Sequence, residues 1–178
     1  MLERRSLLLA LTSLAPLRSW GLSAGFEDKV FVNDRLGKVR LTLPTEWQTY
    51  DRHHINFGTT ILSGKNHASE QFEITFNDAE RLKFKWSSEA ELRDFIDGQM
   101  QQYVKQSVER TVSVNVQKGK NAVVYSTLTD RSPKAGEFKL ITLGAARAGD
   151  AVFLIYQITN ERRLVERIVS VVASAERL

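Results

Sequence analysis

His53, His54 and His67 are the three histidines of the chain, and three imidazoles are enough to hold a metal ion with one coordination position open. Their spacing argues against that chemistry. Neighbouring residues of an extended segment point to opposite faces, so His53 and His54 do not chelate together unless the chain turns there, and no ligand-spaced motif surrounds them. They read as members of a polar loop, and no metal site is expected. The stretch GTTILSGKN resembles a phosphate-binding loop at first sight, but TTILS puts one residue too many between Gly58 and Gly64, and Asn66 stands where the motif needs Ser or Thr. There is no Gly-x-Ser-x-Gly elbow, and Asp and Glu are scattered along the chain, so no catalytic residue is assigned.

Two patches suit recognition better than reaction. Trp47, Tyr50, Arg52, His53 and His54 gather aromatic rings and a guanidinium in what reads as a loop, and these residue types recur at binding surfaces. Trp47 taken by itself reads as core. Arg81, Lys83 and Lys85 alternate with Leu82, Phe84 and Trp86, which describes a strand with one basic face. Such cations could meet an acidic partner; on an edge strand they also discourage pairing with other edges, which is the simpler role. These eight residues form the candidate binding set.

The elements that must carry these side chains follow from periodicity. Val39, Leu41 and Leu43 alternate with Lys38, Arg40 and Thr42 until Pro44 stops the strand, and Phe72, Ile74 and Phe76 repeat the pattern. TTILS is a further strand. At Ser88 the period changes: Ser88 and Glu91 form a capping box, and Leu92, Phe95, Ile96, Met100, Tyr103 and Val104 recur at helical spacing on a helix expected to reach about Val108. A four-strand meander follows, through VSVNV, AVVYSTLT, EFKLITLGAARA and AVFLIYQIT, whose last, nearly continuous apolar run suggests a central strand covered on both faces. Asn160 is placed to cap a closing helix with Leu164, Ile168, Val171, Val172 and Ala175 on one face.

A length of 178 residues suits one domain, and the absence of cysteine excludes disulfides, thiolate ligands, a cysteine nucleophile and a lipid anchor on cysteine. The first 24 residues read as an export signal: Arg4 and Arg5, an apolar run from Leu7 to Leu17, then Leu22-Ser23-Ala24 for cleavage near Gly25 or Phe26. The run is well short of the roughly 20 residues that span a bilayer. Glu3-Arg4-Arg5-Ser6-Leu7-Leu8 also fits the twin-arginine export pattern, so both export routes are open. Without this leader the balance is 22 basic against 20 acidic residues, too even for a nucleic-acid-binding face.

LPTEW at Leu43 to Trp47, the middle helix before VSVNV, and the succession AVVYSTLTD, EFKLITLGAARAGDAVFLIYQIT and a final helix together resemble the PsbP-like superfamily, over most of residues 29–176. The resemblance implies a sheet sandwiched by helices and a binding or assembly role, with no catalytic residues to transfer. Lacking cysteine, the chain departs from the lipid-anchored DcrB-type relatives. The expectation is therefore one α+β domain over residues 25–178, an antiparallel sheet flanked by helices on both faces in an α/β/α sandwich. In function, the chain is expected to be a periplasmic or secreted protein without a cofactor, contacting an envelope protein partner, with no nucleic acid and no membrane span after the signal is removed. The alternative is a periplasmic enzyme or small-ligand carrier with a pocket between the sheet and the 88–108 helix.

Overall fold

The computed structural model describes residues 25–54, 58–63, 69–80 and 86–178. Residues 1–24, where an export signal is expected, His67 and the segment carrying Arg81, Lys83 and Lys85 lie outside the described residues. The described chain forms β1 (Phe26–Asn33), β2 (Gly37–Pro44), β3 (Thr49–His54), β4 (Gly58–Ser63), β5 (Glu70–Asp78), α1 (Glu89–Val104), β6 (Asn115–Gln117), β7 (Val123–Thr129), β8 (Leu140–Ala148), β9 (Ala151–Thr159), α2 (Arg162–Ala173) and β10 (Glu176–Arg177).

These strands make two antiparallel sheets, one of three strands in the order β1-β2-β10 and one of seven in the order β3-β4-β5-β9-β8-β7-β6. This corrects the expected α/β/α sandwich: the fold is sheet-rich, with two sheets and two helices among the described residues. The physical reason is long-range pairing. The first hairpin, β1-β2, leaves the main sheet and takes Glu176 and Arg177, just past α2, as its third strand. Its inner residues Phe31, Val39, Leu41 and Leu43 then pack with α2 onto one face of the large sheet.

That core holds an aromatic chain in which Phe31 meets Phe76 edge-on at 6.4 Å and Phe76 meets Phe153 at 5.6 Å. The opposite face carries α1, whose Leu92, Ile96 and Met100 bury against Val124, Leu128, Ala145 and Val152, with Trp86 beside them. β9 is central, between β5 and β8, as its apolar run predicts. The Ser88 capping box forms as expected, the Glu91 N–H donating to Ser88 Oγ at 3.2 Å and the Ser88 N–H to Glu91 Oε2 at 3.1 Å.

Three boundaries differ from expectation, each because the backbone finds another partner. α1 ends at Val104 because Ser107 bridges to Asp130 and the Val108 N–H donates to the Thr129 carbonyl at 2.8 Å. The VSVNV strand shrinks to Asn115–Gln117, and Arg93 Nη1 donates to the Val114 carbonyl at 3.2 Å. Asn160 does not cap α2: its Oδ1 accepts the Lys139 N–H at 3.0 Å, and α2 begins after Glu161 without a side-chain cap.

Candidate functional site

Of Trp47, Tyr50, Arg52, His53 and His54, expected to share one loop, Tyr50 and Arg52 are separated from His53 by the pleat of an edge strand. Residues 49–54 are β3, so the loop reading is corrected. Trp47, two residues before it, is 2% exposed and stacks on Phe72 with ring centroids 4.3 Å apart, so it is core and not part of a binding patch. Within β3 the register pairs Tyr50 with Leu62 and Arg52 with Thr60, while Asp51 and His53 pair with Ile61 and Thr59 on the other face. His54 ends the strand. Tyr50 and Arg52 therefore face away from His53.

The face shared by Tyr50 and Arg52 is the one that α1 covers in part. α1 packs on β7 and β8 and reaches β9 at Val152, and among the described residues no helix covers the same face of β5, β4 and β3. Cross-strand pairing lays out the open part in two rows. One runs Tyr50, Leu62, Glu73, Tyr156; the other runs Arg52, Thr60, Thr75, Leu154, with the Thr60 and Thr75 hydroxyls 3.0 Å apart. Tyr50 is 45% and Tyr156 38% exposed, with three strand spacings, roughly 14 Å, between them.

Where this open face meets α1, a depression of about 260 Å3 is lined by Glu73, Thr75, Phe95, Gln99, Leu154 and Tyr156, among others. Farther along α1 a second, of about 200 Å3, is lined by Tyr103, Gln106, Leu128, Phe138, Ile141 and Ile158, among others. Burial pushes the Tyr156 phenol above its ordinary pKa, and the neighbouring Tyr103 and Glu73 push it the same way. Tyr156 thus stays neutral at physiological pH and offers an O–H donor beside the Glu73 carboxylate. Arg52 is exposed, with no carboxylate paired to it among the described residues. Aromatic faces, a guanidinium, a carboxylate and an amide on one sheet face can bind; they do not line up a nucleophile with a base.

An arrangement that does resemble a relay lies on the other face. Asp51 Oδ2 is 2.9 Å from His53 Nε2, and His53 Nδ1 is 3.0 Å from Thr59 Oγ1, the carboxylate–imidazole–hydroxyl order of a hydrolytic triad. Its hydroxyl is not available for attack. Thr59 is buried, donates to the Val32 carbonyl at 3.2 Å and accepts Asn33 Nδ2 at 3.2 Å. The network instead ties the end of β1 to the β3-β4 edge. Thr59 and Asn33, missed in the sequence, are neighbours only through pairing across 26 residues. Among the described residues no three potential ligands gather for a metal.

Glu73, Gln99 and Tyr156 were also missed. The sequence signal for Glu73 was present in QFEITFN, whose Gln71, Glu73 and Thr75 face away from the core of Phe72, Ile74 and Phe76. No protein-family model matches the chain. No curated protein matches it either. Among the described residues no helix is long and apolar enough to cross a membrane.

Proposed function

We propose that the chain is an exported, cofactor-free protein of the PsbP-like kind that acts by binding, as an assembly accessory in the cell envelope, and that it meets a protein partner through the open face of its large sheet. The observation that carries this reading is the contrast within the α1 layer. Between α1 and β7-β8 the space is filled by Trp86, Leu92, Ile96 and Met100, whereas Tyr50, Arg52, Glu73 and Tyr156 stand exposed beside it. A filled layer with an adjoining aromatic and charged surface suits a macromolecular contact. The carrier alternative would place its ligand in the depressions along α1, which at about 260 and 200 Å3 fall below the roughly 300–1,000 Å3 usual for small-molecule sites. Export rests on the leader pattern of residues 1–24 and is part of the proposal.

Two measurements test it. Mass spectrometry of the full-length product recovered from its host should find a chain starting at Gly25 or Phe26 in the envelope or secreted fraction. A tagged chain should then retain an envelope protein that both Tyr156→Ala and Arg52→Glu release. Recovery of intact Met1 in the cytoplasm would remove the export half. A protein that retains no partner and instead binds a metabolite along α1 would replace the accessory reading with the carrier.

A further inference from the structure

Of the two depressions along α1, the larger has a one-sided chemistry. Its polar side chains are the Glu73 carboxylate, the Thr75 hydroxyl, the Gln99 amide and the Tyr156 phenol, set beside Phe95 and Leu154, and no basic side chain lines it. Each of the four offers an oxygen acceptor, and an ionised carboxylate offers nothing else. The smaller depression differs, because its carboxylate, Asp130, has Lys139 in the same lining and accepts the Ser132 N–H at 2.8 Å. Glu73 has no such counterpart: among the described residues no ion pair includes it. Arg52 shares the face but lies two strands away and one row over, and the two are not paired. Opposite Glu73 in the register is Tyr156, whose ring stands exposed beside the carboxylate.

We propose that this depression receives an arginine side chain of the protein partner, with the guanidinium on Glu73 and the aliphatic stem along Leu154. The inference rests on the binding reading of the open face and names the chemistry of the contact. A partner that covers this face takes Glu73 out of water, and a carboxylate buried without a cation is heavily penalised. An anion or an apolar side chain in the same place would leave that cost in full. A cation removes it. Arginine suits the site better than lysine, because its planar fork can donate to both Glu73 oxygens and still reach Gln99 or Tyr156, and because a guanidinium stacks on aromatic rings such as Phe95 and Tyr156 at the rim. A space of about 260 Å3, small for a metabolite, suits one long side chain.

The probe is a capped alanine pentapeptide with arginine at its centre, titrated at millimolar concentration into the protein as recovered from its host and followed by amide chemical shifts. Saturable shifts should centre on Glu73, Thr75, Gln99 and Tyr156. The same peptide with neutral citrulline at its centre should produce none, and one with lysine should bind more weakly than arginine. Glu73→Gln keeps the shape and removes the charge, so it should weaken arginine binding about tenfold or more. Gln99→Lys, at an exposed position of α1, brings the chain's own cation to Glu73 and should weaken it by competition. An arginine peptide that does not bind, citrulline or lysine binding as tightly, shifts centred elsewhere, or an affinity indifferent to Glu73→Gln would each overturn the arginine anchor. If Tyr156→Ala and Arg52→Glu still release the partner in that case, only the anchor falls and the face reading stands. Partner capture that survives both of those variants would instead remove the face reading and the anchor with it.

Discussion

Phe153 and Tyr156 stand three residues apart on β9 and face opposite ways, and their surroundings differ sharply. Phe153 is fully buried beneath a second layer made of β1, β2 and α2, while Tyr156 looks out past the side of α1. One face of the large sheet is covered by a sheet and a helix together; the other, among the described residues, has a single helix set over β7 and β8. A helix about 10 Å wide cannot shade seven strands spaced about 4.8 Å apart, so the strands far from α1 either end in polar side chains or leave aromatic ones in water. Both outcomes occur here, in Thr60, Thr75 and Glu73 and in Tyr50 and Tyr156. The covered face stabilises the fold, and the open one is free to serve recognition.

The sharpest way to break this contrast is to remove Phe153. Phe153→Ala should leave a cavity where Phe76 now packs and cost about 3–5 kcal/mol, read by urea unfolding at constant m-value. A loss near 1 kcal/mol would mean that the two layers collapse onto the hole, and that the covered face is less well packed than its burial indicates.

Gly58 supports the corner where the two sheets meet. Its φ is 81°, and a Cβ there would sit 2.3 Å from the Phe76 carbonyl oxygen, so both the conformation and the close approach require glycine. Gly58→Ala should cost about 2–4 kcal/mol from strain and displacement together. The β4-β5 seam would open, and with it the Thr59 link to Val32. Hydrogen exchange should show β4 amides losing protection ahead of β9.

How much of this could be read from the chain depends on distance in sequence. The alternation in β2 and β5, the Ser88 cap and the meander ending in β9 are local, set by side-chain period and turn chemistry, and they appear as expected. The departure of β1-β2 from the main sheet is not local. It depends on two residues, Glu176 and Arg177, finding Arg40 and Val39 at the far end of the chain. The apolar run of β9 marks a central strand but says nothing of where α1 sits, so the exposure of Tyr156 was not legible. Tyr50, Arg52 and His53 do not form one patch because they lie in a strand, whose pleat divides neighbours between faces, and Trp47 just before it is buried.

Acid should act on the covering layer through Glu176. Glu176 on β10 accepts Lys120 Nζ at 2.6 Å and pairs with Arg40 on β2, and these bonds and charges lower its pKa to about 2 from the ordinary 4.5. A folded pKa below the unfolded one means that the stabilisation is present above about 4.5 and is lost as pH falls toward 2. The melting temperature of Glu176→Gln should therefore converge with that of the wild type across this window. The site is exposed and salt-screened, so 1 M salt should narrow the difference at neutral pH.

The smallest expected change in stability carries the most information about function. Tyr156→Ser removes a half-exposed ring from the open face, and Arg52→Glu reverses a charge that no described carboxylate holds, so each should shift stability by about 1 kcal/mol or less. If the open face were merely a badly covered surface, these changes would be silent in every assay, since neither side chain braces the core. If it is a binding surface, the same two variants should melt with the wild type and yet lose the envelope partner. Tyr125→Ser is the needed contrast. Tyr125 is also a partly exposed tyrosine but packs against the covered core, so it should lower the melting temperature and leave partner capture unchanged in the protein that remains folded. Losing stability and capture together at Tyr156 would reduce the open face to part of the scaffold. Losing capture alone would separate the two faces by task as the packing separates them by burial.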